Sequence, residues 1–418
     1  RGVILDDVVL SGVNLTGADI RGVDLRYVTF RDATLNSVNL ANANLRDFDL
    51  RNTSLQNANL SGANLRYANL SGAKLQQANL VNARLDDVNL RYANLIGAEL
   101  DSVSLRNADL RGANLDAKYI PNDNFIAEAS DFIKWGDNRY TKGDYRSAIA
   151  YYNRAIETDS DSEEAYTSRG MANMNLNNHQ AAFEDFKEAL EINPRYALAY
   201  NYRAYLYLKQ KEYQSAISDF DRAIEFNPQY SHAYNGRARI YIIQKDYSKA
   251  IENATKAIEF SSKYAQAYNN RGLGHYALKN YQAAIQDYRK AIKHSYRWKE
   301  AYYNSGRAYY AIGEYKYATK RFDKAIKINR NYVDAYYYRS LARFARNKYE
   351  DAIKDCNRVI SRNPNYAAAY ENKGKSLLAL KNTLEAKKAL EQALKIYTVN
   401  QDIPSVERVK EVIAKMMF

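Results

Sequence analysis

Every fifth residue from Leu5 to Leu115 is large and apolar, and these 23 consecutive positions hold Leu everywhere except Ile20 and Phe30. Two residues before each, from Val3 to Ala113, stands Ala or Val, with Phe48 and Thr53 as the exceptions. A period of five fits neither the 3.6-residue helix nor the two-residue strand. It predicts a chain that turns once per unit, with the large and small residues inside and the three between them outside. After Leu115 this phase stops, and a short segment with Pro121 and Asn122 to Asn124 leads into a longer period. Tyr166, Tyr200, Tyr234, Tyr268, Tyr302, Tyr336 and Tyr370 recur every 34 residues, each followed sixteen later by Ala182, Ala216, Ala250, Ala284, Ala318, Ala352 and Ala386. Asn193-Pro194, Asn227-Pro228 and Asn363-Pro364 supply helix stops at the ends of units. The spacing predicts eight helix pairs starting at 129, 163, 197, 231, 265, 299, 333 and 367. Residues 401–418 follow as one amphipathic helix, with Ile403, Val406, Val409, Ile413 and Met417 on the face that covers the end of the stack.

Units such as SGANL, RYANL and RGANL resemble the pentapeptide-repeat family over residues 3 to 115. The resemblance implies a right-handed quadrilateral β-helix, four units per coil, rising roughly 4.8 Å per coil. The 34-residue spacing resembles the tetratricopeptide repeat, a helix-turn-helix unit that stacks into an all-α superhelix. The first such unit departs at its Tyr position, with Phe132, and keeps Gly136, Ala148 and Ala155. The expected organisation is a β-helix over 1–118, a linker over 119–128, eight tetratricopeptide repeats over 129–400 and a capping helix over 401–418. Chains that combine the two repeat types resemble cyanobacterial proteins, some of which carry a protein-kinase domain ahead of them. Arg1 is not a natural start, and Ile4 and Val9 put apolar residues on the outer positions of the first coil. An upstream segment or a second copy of the chain is therefore expected over that end.

No run of about 20 apolar residues is present, so no transmembrane helix is expected. The compartment is left open, with the cytoplasm favoured. A single cysteine, Cys356, excludes an internal disulfide framework; its place in the repeat matches Phe186, Phe220, Tyr288 and Phe322, which makes it a core residue. The net charge of +13 is uneven: residues 1–118 are neutral, 119–264 carry −3 and 265–418 carry +16. A partner attracted by charge meets the last part of the chain first.

Arg169, Arg203, Arg271 and Arg339 stand sixteen residues before Asp185, Asp219, Asp287 and Asp355, while the unit at 299 has Ser305 and Arg321 at those positions. Such paired change predicts an ion pair between the two helices of a unit. Most other late cations, among them Lys320, Lys324, Lys327, Lys354 and Arg358, fall on second helices, whose default reading is a solvated outer face. The family resemblance puts first-helix positions 2, 5, 9 and 12 on a concave face. There the chain carries Asn201, Asn235, Asn269, Tyr303 and Tyr337, then Tyr205, Arg239, Arg307 and Lys375, then Tyr276 and Tyr310. Asn donates to and accepts from a peptide backbone, Tyr offers area with a polar tip, and Arg pairs with carboxylates. Together they predict a groove for a protein or peptide, acidic in character. The Lys and Asn clamp by which some relatives hold a C-terminal carboxylate is missing, because Ile133, Asp137, Thr167 and Met171 fill those positions.

Neither a cofactor site nor catalysis is expected. His179, His232, His275 and His294 fall at four different repeat positions, and no glycine-rich phosphate loop occurs. Lone Ser and Asp residues of the first array, such as Ser61 or Asp109, read as solvated corner residues. The function expected is a non-catalytic scaffold, with the first array as a rigid spacer or second docking face. Two alternatives stand beside it: nucleic-acid binding by the basic, Tyr-rich half, and DNA mimicry toward a topoisomerase, which a neutral first array disfavours.

Overall fold

A computed structural model describes residues 10–21, 25, 28–115 and 125–416. They fall into two compact units, 1–206 and 207–418. Ile4, Val9 and Met417 lie outside the described residues, as does most of the expected linker.

In the first unit, parallel bridges join residues 20 apart, from Asn14 with Thr34 to Asn89 with Asp109. Two short strands, β1 (Asn94–Leu95) and β2 (Asn114–Leu115), pair in the same register. One turn of chain therefore takes four pentapeptides. The bonds are those of a parallel ladder: Leu55 N donates to Lys74 O at 2.7 Å, and Asn59 N donates to Val38 O at 2.9 Å. Leu25 to Leu115 are buried at every fifth position, and the small residues from Val28 to Ala113 are buried with them apart from the half-buried Ala98. The two exceptions in the small series explain each other, since Phe48 stacks on Phe30 at 6.2 Å and Thr53 Oγ1 donates to Phe30 O at 2.9 Å.

Corners are made by the second residue after each large one, at φ between +55° and +74° where described. That left-handed region favours Gly, Asn and Asp, although Tyr67 and Tyr92 also adopt it. The preceding Asn helps by capping the turn, as where Ser61 N donates to Asn59 Oδ1 at 3.2 Å. Ser61 is thus half-buried and bonded, and Asp109 sits in the ladder rather than at a corner, 2.6 Å from Arg111 Nη2. Both correct the reading of these residues as solvated corners.

The ladder closes on Ile126, which bridges Asp109 and exchanges backbone bonds of 2.7 and 2.8 Å with Ala108 and Leu110. Helix α1 (Ala129–Thr141) then covers it. Asp131 Oδ1 accepts from Gly112 N at 3.0 Å, and Trp135 Nε1 donates to Ala113 O at 3.0 Å. Phe125, Phe132, Trp135 and Tyr151 extend the leucine stack into the helices, so one core runs from Leu25 to Ala165. The unit continues through α2 (Tyr145–Thr158), α3 (Glu163–Asn175), α4 (His179–Ile192) and the first part of α5 (Ala197–Gln210).

The second unit holds α6 (Tyr213–Phe226), α7 (Ser231–Ile243), α8 (Tyr247–Phe260), α9 (Ala265–Ala277), α10 (Tyr281–His294) and α11 (Lys299–Ala311). It continues with α12 (Tyr315–Ile328), α13 (Val333–Phe344), α14 (Tyr349–Arg362), α15 (Ala367–Ala379), α16 (Thr383–Val399) and α17 (Ile403–Ala414). Within this unit each first helix packs on its second helix, from α7 with α8 to α15 with α16. A left-handed residue makes each turn between them, including Lys211, Lys245, Lys279, Gly313, Asn347 and Lys381. Cys356 is buried among these helices, and burial pushes its thiol up to about 11. Helix α17 covers the end of the stack with Val406, Val409, Val412 and Ile413, joined by Met416 just past its end. Ile403, expected on that face, is 67% exposed at the helix start.

Candidate partner-binding face of the first helices

Arginines at the seventh position of a unit serve the scaffold. Arg169 bonds Asp185 at 2.6 Å, Arg271 bonds Asp287 at 2.7 Å and Arg339 bonds Asp355 at 2.5 Å. Each also reaches back to the preceding second helix: Arg169 to Asn153 at 2.8 Å, Arg271 to Thr255 at 3.3 Å, Arg339 to Asp323 at 2.6 Å. Arg237, whose partner position holds Asn253, makes the same pair of contacts with Asn253 and Asp221. Tyr166, Tyr268 and Tyr336 lie against these guanidinium groups at 5.2 to 5.7 Å. Arg203 lies over Tyr200 at 5.5 Å; Asp219 belongs to the other compact unit. Where the pair is replaced, Ser305 is buried with its hydroxyl unbonded, and Arg321 lies 5.8 Å from the Tyr309 ring.

The predicted groove residues separate into three roles. Asn235 and Asn269 are buried straps between neighbouring first helices: Asn270 Nδ2 donates to Asn235 Oδ1 at 2.9 Å, Asn235 Nδ2 to Tyr264 Oη at 3.2 Å, and Asn304 Nδ2 to Asn269 Oδ1 at 3.0 Å. Their amides are spent inside the array rather than offered to a peptide. In the first unit Asn201 is buried with its Oδ1 unbonded, and Tyr205 is half-buried. Lys375 is committed to Glu371, its Nζ 2.7 Å from Oε1. Glu371 also receives Tyr397 Oη at 2.9 Å and two nitrogens of Arg408, each at 2.9 Å. A recess of about 300 Å³ opens there between Tyr337, Glu371, Asn372, Lys375, Tyr397 and Arg408.

Of the remaining residues, Tyr276 and Tyr303 gather around Arg307. Its guanidinium lies 4.7 Å from the Tyr276 ring on α9, 5.7 Å from Tyr303 on α11 and 5.5 Å from Tyr338 on α13. Tyr310 adjoins this cage, 6.4 Å from Tyr338, and Tyr337 lies edge-on to Tyr338 and tilted against Tyr366. Burial lowers the Arg307 pKa, but the three phenols outweigh it and raise the value overall. Burial likewise lifts the Tyr303 and Tyr337 phenols well above their usual range. No carboxylate pairs with Arg307 among the described residues, and its Nε is buried without a partner. Arg239 is exposed on α7 and equally without an ion pair among the described residues. Sequence reasoning missed Tyr338, Tyr397 and Arg408. The replacement of the Asn and Tyr series by Glu371 at the fifth position was the one visible sign of a different arrangement.

Among the described residues no group of three or more His, Cys, Asp or Glu is placed to hold a metal ion, and no helix is long and apolar enough to cross a membrane.

Residues 3–80 match a pentapeptide repeat region, and residues 78–116 match pentapeptide repeats. Tetratricopeptide-repeat models match 133–197, 197–230, 220–252, 265–295, 303–367 and 337–400. No curated protein matches the chain. Among solved structures, the hetero-tetramer Cut9-Hcn1 of APC/C is similar at 16% identity and TM-score 0.51, over 69% of this chain and 55% of that one. That is a likeness of fold. YrrB, a tetratricopeptide-repeat protein with an unusual peptide-binding site, is 22% identical at TM-score 0.41, covering 46% of this chain and 97% of its own. Yeast Tom70 is 14% identical at TM-score 0.41, over 72% and 66%. Tetratricopeptide arrays present extended surfaces to other proteins, so the general role is that of a protein-interaction scaffold. The chain belongs to the pentapeptide-repeat family over residues 3–116 and to the tetratricopeptide-repeat family across 133–400, fused in that order.

Proposed function

We propose that this is a non-catalytic scaffold that binds an acidic protein segment along the first helices α7 to α15, and that residues 1–118 form a right-handed quadrilateral β-helix serving as a rigid spacer or second docking face. The observation that carries the reading is Arg307, a guanidinium removed from much of its water and held in a tyrosine cage without a carboxylate. Ring faces hold that charge but leave its N–H donors largely unused, and a carboxylate supplies two charge-assisted bonds of matching geometry. In this reading Arg307 and Arg239 meet carboxylates, while Tyr276, Tyr303, Tyr310 and Tyr337 supply contact area. Asn235 and Asn269 hold the helix spacing behind them.

The test is retention of synthetic peptides by the immobilised full chain. Carboxylate-rich peptides are expected to bind and their amidated counterparts to fail. Arg307→Gln is expected to weaken binding roughly tenfold or more with an unchanged helical circular-dichroism signal. Equal retention by the variant would remove the basis of the reading.

A further inference from the structure

A second charged surface lies on the helices that the groove reading leaves out. A cleft of about 710 Å³ opens between α13 and α14, lined by Arg339, Arg343, Lys354 and Arg358 together with Asp351 and Asp355. Its acids are already engaged. Asp355 is shared by Arg339 at 2.5 Å and Arg343 at 2.7 Å, and Asp351 faces Lys354 at 3.7 Å. Among the described residues no carboxylate pairs with Arg358. The neighbouring helix α12 adds to the excess: its one acid, Asp323, bonds Arg339 at 2.6 Å, and Lys320, Lys324 and Lys327 stand exposed around it without an ion pair among the described residues. Lys320 and Lys327 are three residues before and four after Asp323, so they share the face that Asp323 turns toward Arg339.

Taken together, the cleft and the stripe carry seven cations against three carboxylates, and those three are consumed by Arg339, Arg343 and Lys354, which leaves Lys320, Lys324, Lys327 and Arg358. We infer that the α13–α14 cleft, continued by the lysine stripe of α12, binds single-stranded nucleic acid. Arg339 and Arg343 are recessed, with side chains 13% and 21% exposed, and are committed to Asp355 and Asp323. The cations left for a polyanion are therefore the exposed Lys320, Lys324, Lys327 and Arg358. Stacking separates it from an acidic peptide. Tyr317 on α12 stacks on Tyr309 at 5.5 Å yet stays 52% exposed, with Lys320 Nζ 6.0 Å from its ring, which sets a part-open aromatic ring beside a cation as single-strand binders do. This surface uses none of the groove residues, so it stands apart from the peptide reading.

The experiment is fluorescence anisotropy of a labelled oligothymidylate of about 15 nucleotides with the full chain. At about 50 and about 200 mM salt, affinity is expected to fall with a log–log slope near −0.7 per phosphate contacted. Combining Lys324→Glu, Lys327→Glu and Arg358→Glu is expected to weaken binding at least roughly tenfold and to flatten the slope. All three are exposed, and the corresponding Gln substitutions give a milder version that should fall between. Arg307→Gln is expected to change nothing. The inference is overturned if the triple variant binds like the parent, if Arg307→Gln abolishes binding, or if duplex DNA or phosphatidylserine vesicles bind more tightly than the single strand at the same salt.

Discussion

Arg408 on α17 and Glu371 on α15 hold each other through two parallel bonds, Nε to Oε1 and Nη2 to Oε2, both 2.9 Å. Burial alone would raise the Glu371 carboxyl, but Arg408 and Lys375 outweigh it and bring it down to about 2. The folded value thus lies below the ordinary carboxylate value of 4.5. Its stabilisation is complete above about pH 4.5 and is lost as pH falls toward 2. With Arg408 half-exposed to solvent, the contribution is on the order of 2 kcal/mol. Glu371→Gln should therefore lower the denaturant midpoint relative to the parent above pH 5, with the gap closing near pH 2. A gap of constant size across that range would show that the ionised carboxylate is not what fastens α17.

The bond between Arg271 and Asp287 is a second place where removal and replacement give opposite answers. Asp287→Ala leaves a guanidinium 19% exposed without its carboxylate, and an expected loss of about 2–4 kcal/mol follows. Arg271→Leu with Asp287→Leu should return much of it, since both desolvation costs vanish together. Thermal melting of the three chains decides the matter. A double variant as unstable as the single one would assign the loss to packing instead.

Lys279 turns the chain between α9 and α10 at φ +63°, a conformation that its β-carbon resists. The left-handed region costs an L-residue about 1–2 kcal/mol, and glycine returns part of that gain through its greater unfolded freedom. Lys279→Gly is accordingly expected to stabilise by about 0.5–1 kcal/mol, and Lys279→Ala to give no gain because the β-carbon stays. A lower melting temperature for the glycine variant would mean that the lysine side chain makes a contribution larger than its strain.

Both arrays were legible because burial of apolar area is non-directional and repeats with the chain. The leucines every five residues and the tyrosines every 34 announced cores that Leu25 to Leu115 and the helix pairs then supplied. The Arg and Asp pairs were legible as well, since both members change together at Ser305 and Arg321, although Arg237 keeps its place opposite Asn253. What stayed hidden depends on direction and on the neighbouring unit. The backward bond of Arg339 to Asp323 requires knowing which second helix stacks beside it. The straps through Asn235 and Asn269 require knowing that the fifth position faces the next first helix more than it faces solvent. Glu371 and Arg408 are 37 residues apart and share no period.

The bonding offsets also make chain length come in quanta. In the ladder every bridge before the closing one at Ile126 joins residues 20 apart, so deleting 20 residues removes one turn and keeps every later residue on its own side of the coil. Deleting five keeps the leucines buried yet moves all later residues to the adjacent side, parting pairs such as Asn39 and Asn59. In the helical part the quantum is 34, and Arg339 shows why a whole unit is a clean excision: its two acids lie sixteen residues before and sixteen after it. The seam left by the cut is sewn by both bonds where the joined units supply an Arg at the seventh position and a polar partner on each side of it. Such a chain can lengthen or shorten its reach in evolution by copying or dropping whole units, without inventing a new contact.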